Sequence, residues 1–183
     1  MLERIPGTFI IGIGHKCRHG KDTAANHIVQ QTRGQARIFS LADDVYAVAR
    51  IIFGMTKKNP SMLQWIGTEG FRSKDPQTWV NSLYWNIYNK RPAIAVIPDV
   101  RFPNEAEFVK NAGGVLIKVS RLAGDGLPYV AADRDPNHPS ETALDGYDGW
   151  DYRVTVKSEQ LPQLRKAVDG VLWDLRDRIG SDF

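Results

Sequence analysis

The segment that most constrains the fold joins an apolar stretch to a helical pattern through a short polar turn. Residues 8–13 form a continuous apolar run, as in a buried strand, and residues 21–32 carry apolar side chains at helical spacing. The turn between them ends in Gly20-Lys21. Backbone N–H groups at the start of such a helix converge on an anion, and the helix dipole adds partial positive charge. The segment therefore predicts a strand–loop–helix unit that binds phosphate.

The rest of the chain repeats this alternation of apolar runs and helical patterns, which indicates a parallel sheet covered by helices on both faces. We expect an α/β fold in a single domain, since 183 residues suit one domain. The further strands are predicted at 36–40, 93–97, 115–119 and 152–156, and the further helices at 43–53, 61–66, 76–89, 104–111 and 161–179.

Composition narrows the class of protein. Cys17 is the one cysteine, so no internal disulfide can form. The net charge is +3 and no run of five basic residues occurs, which favours an enzyme that gathers several phosphates over a nucleic-acid surface. No stretch approaches the roughly 18 apolar residues of a membrane span, and the first seven residues lack the pattern of a signal peptide. We therefore expect no membrane partner and a cytoplasmic location, in the host cytoplasm if the protein is viral.

The turn before Lys21 provides the groups that hold a polyphosphate. Gly20 lets the backbone approach a phosphate closely, and Lys21 can reach the outer phosphates as a fixed cation. Asp22 and Thr23 are oxygen donors that can hold Mg²⁺, directly or through water.

The turn departs from the usual Gly-x-x-x-x-Gly-Lys-Ser/Thr pattern at two positions. His15 holds the place of the first glycine, with Gly14 one position earlier, and Asp22 replaces the hydroxyl residue. A plain strand-to-helix turn is therefore an open alternative. A dinucleotide-binding Gly-x-Gly-x-x-Gly is a weaker one, because Cys17 holds its third glycine position.

A second cluster follows the strand predicted at 93–97. Asp99 lies at the carboxyl end of that strand, where open α/β sheets bind ligands. It can orient Mg²⁺ or the attacking phosphate oxygen, and Arg101 can hold a phosphate with two hydrogen bonds. Alternatively, Asp99 caps the helix that begins near Asn104 and pairs with Arg101.

A third cluster spans residues 64–72. Trp65 offers a ring for base stacking, Glu69 a carboxylate for the base edge or sugar, and Arg72 a cation for the acceptor phosphate. The alternatives are that Trp65, like Trp79, is a core residue, and that Arg72 is a solvated surface charge.

Residues 121–139 are rich in Gly, Pro and Asp and show no periodicity, which predicts a lid. Phosphoryl transfer needs positive groups over the migrating phosphate and a closed site that excludes water. Arg121, Arg134 and His138 are the candidates in this segment. For Arg134, a surface ion pair with neighbouring aspartates is the competing interpretation.

Together these motifs resemble those of the bacteriophage-type deoxynucleoside monophosphate kinases, a P-loop family related to adenylate kinase. They follow the family's order from about residue 9 to 164. The motifs are His19-Gly20-Lys21-Asp22-Thr23-Ala24, Leu41-Ala42-Asp43, Gln64-Trp65-Ile66-Gly67-Thr68-Glu69, Asp99-Val100-Arg101-Phe102-Pro103-Asn104-Glu105, His138-Pro139-Ser140-Glu141 and Leu144-Asp145-Gly146.

The resemblance implies a P-loop three-layer α/β/α fold with a five-stranded parallel sheet, a nucleotide-binding helical segment at about 42–90 and a lid at about 121–139. It implies ATP and Mg²⁺ as cofactors, a nucleoside monophosphate as acceptor, and small-molecule nucleotides rather than nucleic acid as partners. A homodimer is compatible with it, although no residue pattern demonstrates one.

The resemblance also assigns roles to individual residues. It makes Lys21, Asp99 and Arg101 catalytic and places Asp22, Thr23 and Asp99 around the metal. The donor nucleotide would contact Gly14, His15, Lys16, Arg18, His19, Gly20, Lys21, Asp22 and Thr23. The acceptor would contact Asp43, Trp65, Glu69, Arg72, Arg101, Glu105 and Arg121.

Two other functions remain open at this stage. One is a P-loop kinase for another small acceptor, such as phosphomevalonate or a coenzyme precursor, which would share the same sheet and loop. The other is a nucleotide- or nucleic-acid-binding module without transfer activity, to which the basic pI of about 9.0 lends some support.

Overall fold

A computed structural model describes Leu2 and residues 4–133 and 135–180. The predicted lid residue Arg134 lies outside the described residues. Five strands form one parallel sheet in the order β2-β3-β1-β4-β5. The strands are β1 Phe9–Gly14, β2 Ala36–Ile38, β3 Ile94–Val100, β4 Val115–Leu122 and β5 Tyr152–Lys157.

Seven α-helices and a one-turn π-helix connect and follow the strands within the described residues. The α-helices are α1 Lys21–Gln31, α2 Leu41–Ile51, α3 Pro60–Trp65, α4 Thr78–Lys90, α5 Pro103–Asn111, α6 Pro139–Thr142 and α7 Leu161–Ile179. The π-helix, Ile66–Gly70, directly continues α3. All the helical elements between β2 and β3 fall within the segment predicted to bind the acceptor nucleotide.

The core divides into two layers because successive side chains of a strand point to opposite faces of the sheet. On β1, Ile10 packs with α2, α4 and α5 on one face, whereas Ile11 and Ile13 pack with α1 and α7 on the other. These three isoleucines are fully buried. The architecture is therefore the predicted three-layer α/β/α sandwich with a five-stranded parallel sheet.

The predicted element bounds differ from the structure mainly at strand ends. β3 runs on through Asp99 to Val100, and β4 runs on to Leu122, so the segment predicted as a lid begins inside a strand. The end of β4 pairs with the predicted lid through an isolated antiparallel bridge between Leu122 and Pro128. Helix α6 begins at Pro139. The sequence pattern did not predict the π-helix.

The strand order brings the ends of β1 and β3 together. The two strands are adjacent and parallel, and Gly14 pairs with Val100 at their carboxyl ends. The loop after β1 and the residues after β3 therefore share one edge of the sheet, which is the edge where open α/β folds bind ligands. Within the described residues, no helix combines the length and apolar character needed to cross a bilayer.

Candidate active site

The loop between β1 and α1, residues 15–20, has the backbone shape of an anion cradle. Gly20 caps α1 with φ of 96°, a left-handed value that favours glycine, and Arg18 has φ of 57°. A Cβ on Gly20 would also lie 2.9 Å from Leu164 Cδ2. No side chain caps the start of α1, so its first N–H groups point into the loop without a side-chain acceptor.

Lys21 lies buried beneath this loop. Its Nζ donates to the Lys16 backbone carbonyl at 2.5 Å, which folds the ammonium back across the loop. Burial, and to a smaller degree the positive charge of Arg101, lower the pKa of Lys21 to about 8. The side chain is therefore a poorly solvated cation at pH 7.

The side chains of the loop fasten it to residues 129–145. His15 Nε2 lies 2.8 Å from Asp145 Oδ1, and Lys16 Nζ lies 2.9 Å from the same oxygen. Arg18 pairs with Asp133 at 2.7 Å. These contacts join the predicted phosphate loop to the predicted lid and to the residues after it.

Two histidines of the loop are neutral structural groups. Burial, followed by the charge of Lys118, lowers the pKa of His15 to about 4, and burial lowers the pKa of His19. His19 Nδ1 accepts from the backbone N–H of Arg121 at 3.2 Å, so its Nε2 carries the proton and donates to the Tyr129 carbonyl at 3.0 Å. Their imidazoles thus hold the loop in place.

A cavity of about 360 Å³ opens beside the loop, at the end of β3. We call it the β3 cavity. Its apolar walls come from α2, α3 and α4, including Val45, Leu63 and Trp79. Its polar walls include Asp22, Arg72, Asp99, Arg101 and Glu105. The volume and the mixture of an apolar wall with a few convergent polar groups are typical of a small-molecule site.

Asp99 is held by the start of α2. Its carboxylate accepts from Ser40 Oγ at 2.6 Å and from the backbone N–H groups of Leu41 at 3.1 Å and Ala42 at 2.8 Å. Burial raises the pKa of Asp99, and these hydrogen bonds oppose that effect. The alternative that Asp99 caps the helix beginning near Asn104 is wrong, because Asp99 caps α2 instead. A carboxylate has about four acceptor sites, and these three hydrogen bonds leave room for a further ligand. A role of Asp99 in metal binding therefore stays a prediction.

Arg101 is positioned by Glu141, a residue for which the sequence predicted no role. Arg101 Nη1 donates to Glu141 Oε1 at 2.5 Å and to the Ser140 carbonyl at 3.2 Å. The second oxygen of Glu141 accepts from the backbone N–H of Cys17 at 2.8 Å. A buried carboxylate on α6 thus bridges the phosphate loop and the arginine after β3. Only its contacts to residues 40 and 124 positions away in the chain identify it.

Arg72 is locked beside the same cavity. Its Nη2 donates to Glu105 Oε1 at 2.6 Å, and its guanidinium lies 3.9 Å from the centre of the Phe102 ring. Glu105 also accepts from the backbone N–H groups of Arg101 at 2.7 Å and Phe102 at 3.0 Å, which caps α5. Glu105, predicted to bind substrate, therefore serves here to fix both arginines. A surface-charge interpretation of Arg72 does not fit this partly buried, fully oriented guanidinium.

A second cavity, of about 380 Å³, lies on the other side of the loop beside β5. This β5 cavity is lined by loop and α1 residues, by Arg121, and by residues at the β5–α7 junction. Arg121 Nε donates to Ser158 Oγ at 3.0 Å, and its guanidinium lies 4.1 Å from the centre of the Tyr129 ring. Arg121, predicted on the acceptor side, is thus placed with the loop residues predicted to bind the donor. Thr23 also lines this cavity.

Besides Arg121, three predicted acceptor residues do not line the β3 cavity. Asp43 is exposed on α2. Trp65 is half exposed and contacts Phe53 edge to face, at 5.8 Å between ring centres. Glu69 is directed towards His138 instead, with 3.7 Å between Oε1 and Nε2. Trp79 is the tryptophan that lines the cavity, and it is otherwise a core residue.

A magnesium ion fits the residues at the loop only as a complex with a phosphate ligand. Within the described residues, no three His, Cys, Asp or Glu side chains cluster as metal ligands. Mg²⁺ is commonly held by one or two protein oxygens together with substrate phosphates and water. Asp22 and Thr23, at the start of α1, provide such oxygens.

Comparison with known proteins gave a similar viral sequence and structures of similar fold. No family model matches the chain. Over 129 residues it is 37% identical to a protein of Acanthamoeba polyphaga mimivirus named "Putative deoxynucleotide monophosphate kinase". That match covers 63% of this chain, and the chain spans 61% of the length of the viral protein.

Two solved structures share the fold. One, described as a "putative kinase" from Chloroflexus aurantiacus, superposes with a TM-score of 0.54 at 14% identity, covering 93% of this chain and 97% of that chain. The other is shikimate kinase from Acinetobacter baumannii, with a TM-score of 0.52 at 13% identity, covering 93% and 94%. Identity this low shows a common α/β fold and no more.

Proposed function

We propose that this protein transfers the terminal phosphoryl group of ATP to a nucleoside monophosphate, with deoxynucleotides as the acceptors. The observation that carries the proposal is the placement of the phosphate loop between two cavities. Asp22, next to Lys21, lines both of them. Two ligands that enter from the two cavities would therefore meet beside Asp22, next to Lys21, as a phosphoryl donor and acceptor must.

The β5 cavity is the donor side. A nucleotide tail that enters here runs along the amides of the loop and the start of α1, where N–H groups and the helix dipole favour anions. Arg121 and the β5–α7 junction line the outer part of the cavity, so the base and sugar of ATP would lie against them.

The β3 cavity is the acceptor side. Arg72 and Arg101 line it, and both are oriented by carboxylates before any ligand arrives. Two fixed guanidinium groups suit a phosphate dianion, which they can bind through several N–H groups. The pair favours a phosphorylated acceptor over an uncharged acceptor that carries only hydroxyl groups.

The reaction then needs positioning and charge neutralisation more than covalent chemistry. An oxygen of the acceptor phosphate forms a bond to the γ-phosphorus as the bond to the β–γ bridging oxygen breaks, and ADP leaves. Lys21 and Arg101 neutralise the charge on the transferring group, and Arg72 holds the acceptor in line. When bound, Mg²⁺ would add charge neutralisation, with Asp22, Thr23 and Asp99 as candidate ligands.

The relative from mimivirus supports a deoxynucleotide acceptor by its name. It matches over part of its length, so the acceptor is best established directly. The decisive experiment measures ADP release from ATP with each of the common deoxy- and ribonucleoside monophosphates, with phosphomevalonate and shikimate as other acceptors, and with no acceptor.

Acceptor-dependent ADP release with one or more deoxynucleoside monophosphates is the expected result. Release that is faster with a non-nucleotide acceptor would instead establish the second kinase function. No release with any acceptor, together with DNA binding that collapses as salt rises, would replace the kinase by a nucleic-acid-binding module.

A further inference from the structure

Gln64 lies at the apolar wall of the β3 cavity with an amide nitrogen that has no protein partner. It occupies α3 next to Leu63, and both line the cavity. Its Nε2 is buried and makes no hydrogen bond. Of the buried side-chain nitrogen and oxygen atoms without a hydrogen-bond partner in the described residues, Gln64 Nε2 is the one that belongs to a residue lining this cavity.

A buried amide nitrogen without a partner is costly. Leaving such a donor unsatisfied costs about 1–3 kcal/mol, so most buried polar groups in proteins have partners. Leu63, its neighbour on α3, is apolar, and so is Val45, which lines the same cavity. A polar donor kept in an apolar wall is what a site requires when the partner arrives with the ligand.

Two arginines, Arg72 and Arg101, form the part of the cavity lining that suits a phosphate. Arg72 and Arg101 are joined through Glu105, which accepts from the Arg72 side chain and from the Arg101 backbone N–H. A monophosphate anchored by this pair would have the walls formed by α2 and α3 left for its sugar and base. Gln64 lies on that part of the cavity lining.

We propose that Gln64 reads the hydrogen-bonding edge of the acceptor base; the inference rests on the proposed function. A carboxamide has donor N–H groups and an acceptor oxygen side by side. Thymine, guanine, adenine and cytosine each present an adjacent donor and acceptor on the pairing edge. Because the carboxamide can rotate by 180°, it satisfies any of them. Gln64 therefore favours acceptors that carry a base, without restricting them to one kind of base.

The test compares two substitutions with a matched control. Gln64→Met keeps the length and most of the volume of the side chain but removes both hydrogen-bonding groups. Gln64→Glu keeps the shape and offers acceptors only. Gln163→Met makes the first change at an exposed position of α7 that does not line the β3 cavity. For each variant, kcat and KM are measured for ATP and for all four deoxynucleoside monophosphates.

Gln64→Met is expected to raise the KM of every accepted monophosphate about tenfold, with the KM of ATP unchanged. Gln64→Glu is expected to change the order of bases. Guanine alone presents two adjacent N–H donors on its pairing edge, so kcat/KM for dGMP relative to dTMP rises about tenfold or more. Gln163→Met behaves as the wild type.

Two outcomes would overturn the inference. One is a Gln64→Met variant with unchanged KM values for the monophosphates, or with ATP and monophosphate affected equally, as a general loss of structure would produce. The other is a Gln64→Glu variant that keeps the wild-type order of bases. Failure of the proposed function is distinct from these, since the wild type would then phosphorylate no nucleoside monophosphate, and the inference would fall with it.

Discussion

Replacing Lys21 by methionine should stabilise the ligand-free protein while removing its activity. The ammonium is buried and its pKa is about 8, against an ordinary value of 10.5. Each tenfold change in acidity corresponds to 1.36 kcal/mol, so holding this charge in the folded state costs about 3 kcal/mol at pH 7. Methionine avoids that cost but loses the hydrogen bond to the Lys16 carbonyl, which contributes about 1 kcal/mol. The net gain is about 2 kcal/mol.

The pH dependence gives the sharper test. The folded pKa is lower than the unfolded one, so between pH 8 and 10.5 the unfolded chain binds more protons and the stability of the wild type rises with pH. Below about pH 8 the cost of the buried charge is fully present, and near pH 10.5 it has gone. The advantage of Lys21→Met should therefore shrink from about 2 kcal/mol at pH 7 and reverse at the upper end of this range.

Urea unfolding of both proteins at several pH values between 7 and 10 measures this directly. Lys166→Met serves as the control, because Lys166 is exposed on α7 and its replacement should change stability by less than about 0.5 kcal/mol at every pH. The reasoning would be refuted by a Lys21→Met protein that is less stable than the wild type at pH 7. A difference between the two proteins that does not vary with pH would refute it equally.

Three further substitutions separate the parts of the site. Arg72→Ala should raise the KM of the acceptor at least tenfold and leave the KM of ATP nearly unchanged, because Arg72 lines the β3 cavity and not the β5 cavity. If steady-state kinetics show that the KM values of acceptor and ATP rise equally, Arg72 does not belong to the acceptor side. Arg121→Ala should raise the KM of ATP and leave the KM of the acceptor nearly unchanged, since Arg121 lines the β5 cavity. A selective rise in the KM of the acceptor would contradict that placement. Glu141→Gln should lower the free energy of unfolding by about 1–3 kcal/mol, because it weakens the contacts to Arg101 and to the Cys17 amide; a denaturation midpoint unchanged from the wild type would show that the bridge contributes little.

The sequence predicted well where local pattern and structure agree. The buried strand, the turn ending in Gly20-Lys21 and the helix from Lys21 appear as expected, and the closing helix has the predicted bounds. These elements depend on apolar periodicity and on backbone requirements of single residues, which a sequence displays directly. The parallel sheet follows from their alternation.

The prediction from sequence was wrong or absent where the role of a side chain depends on residues far away in the chain. Asp99 lies near the end of β3, but its partners at the start of α2 lie almost sixty residues earlier in the chain. Glu141 reaches an amide more than a hundred residues away. Periodicity also cannot tell which of two tryptophans in neighbouring helices faces a cavity, and the structure places Trp79 there rather than Trp65.

The most direct test of the account follows the γ-phosphoryl group itself. With ATP labelled at the γ-phosphate and a deoxynucleoside monophosphate as acceptor, the wild type should place the label on a deoxynucleoside diphosphate. Lys21→Ala should lower this transfer at least about a hundredfold, because the charge facing the migrating phosphate is gone. Transfer by Lys21→Ala at the wild-type rate, or label released by the wild type only as inorganic phosphate, would contradict the account.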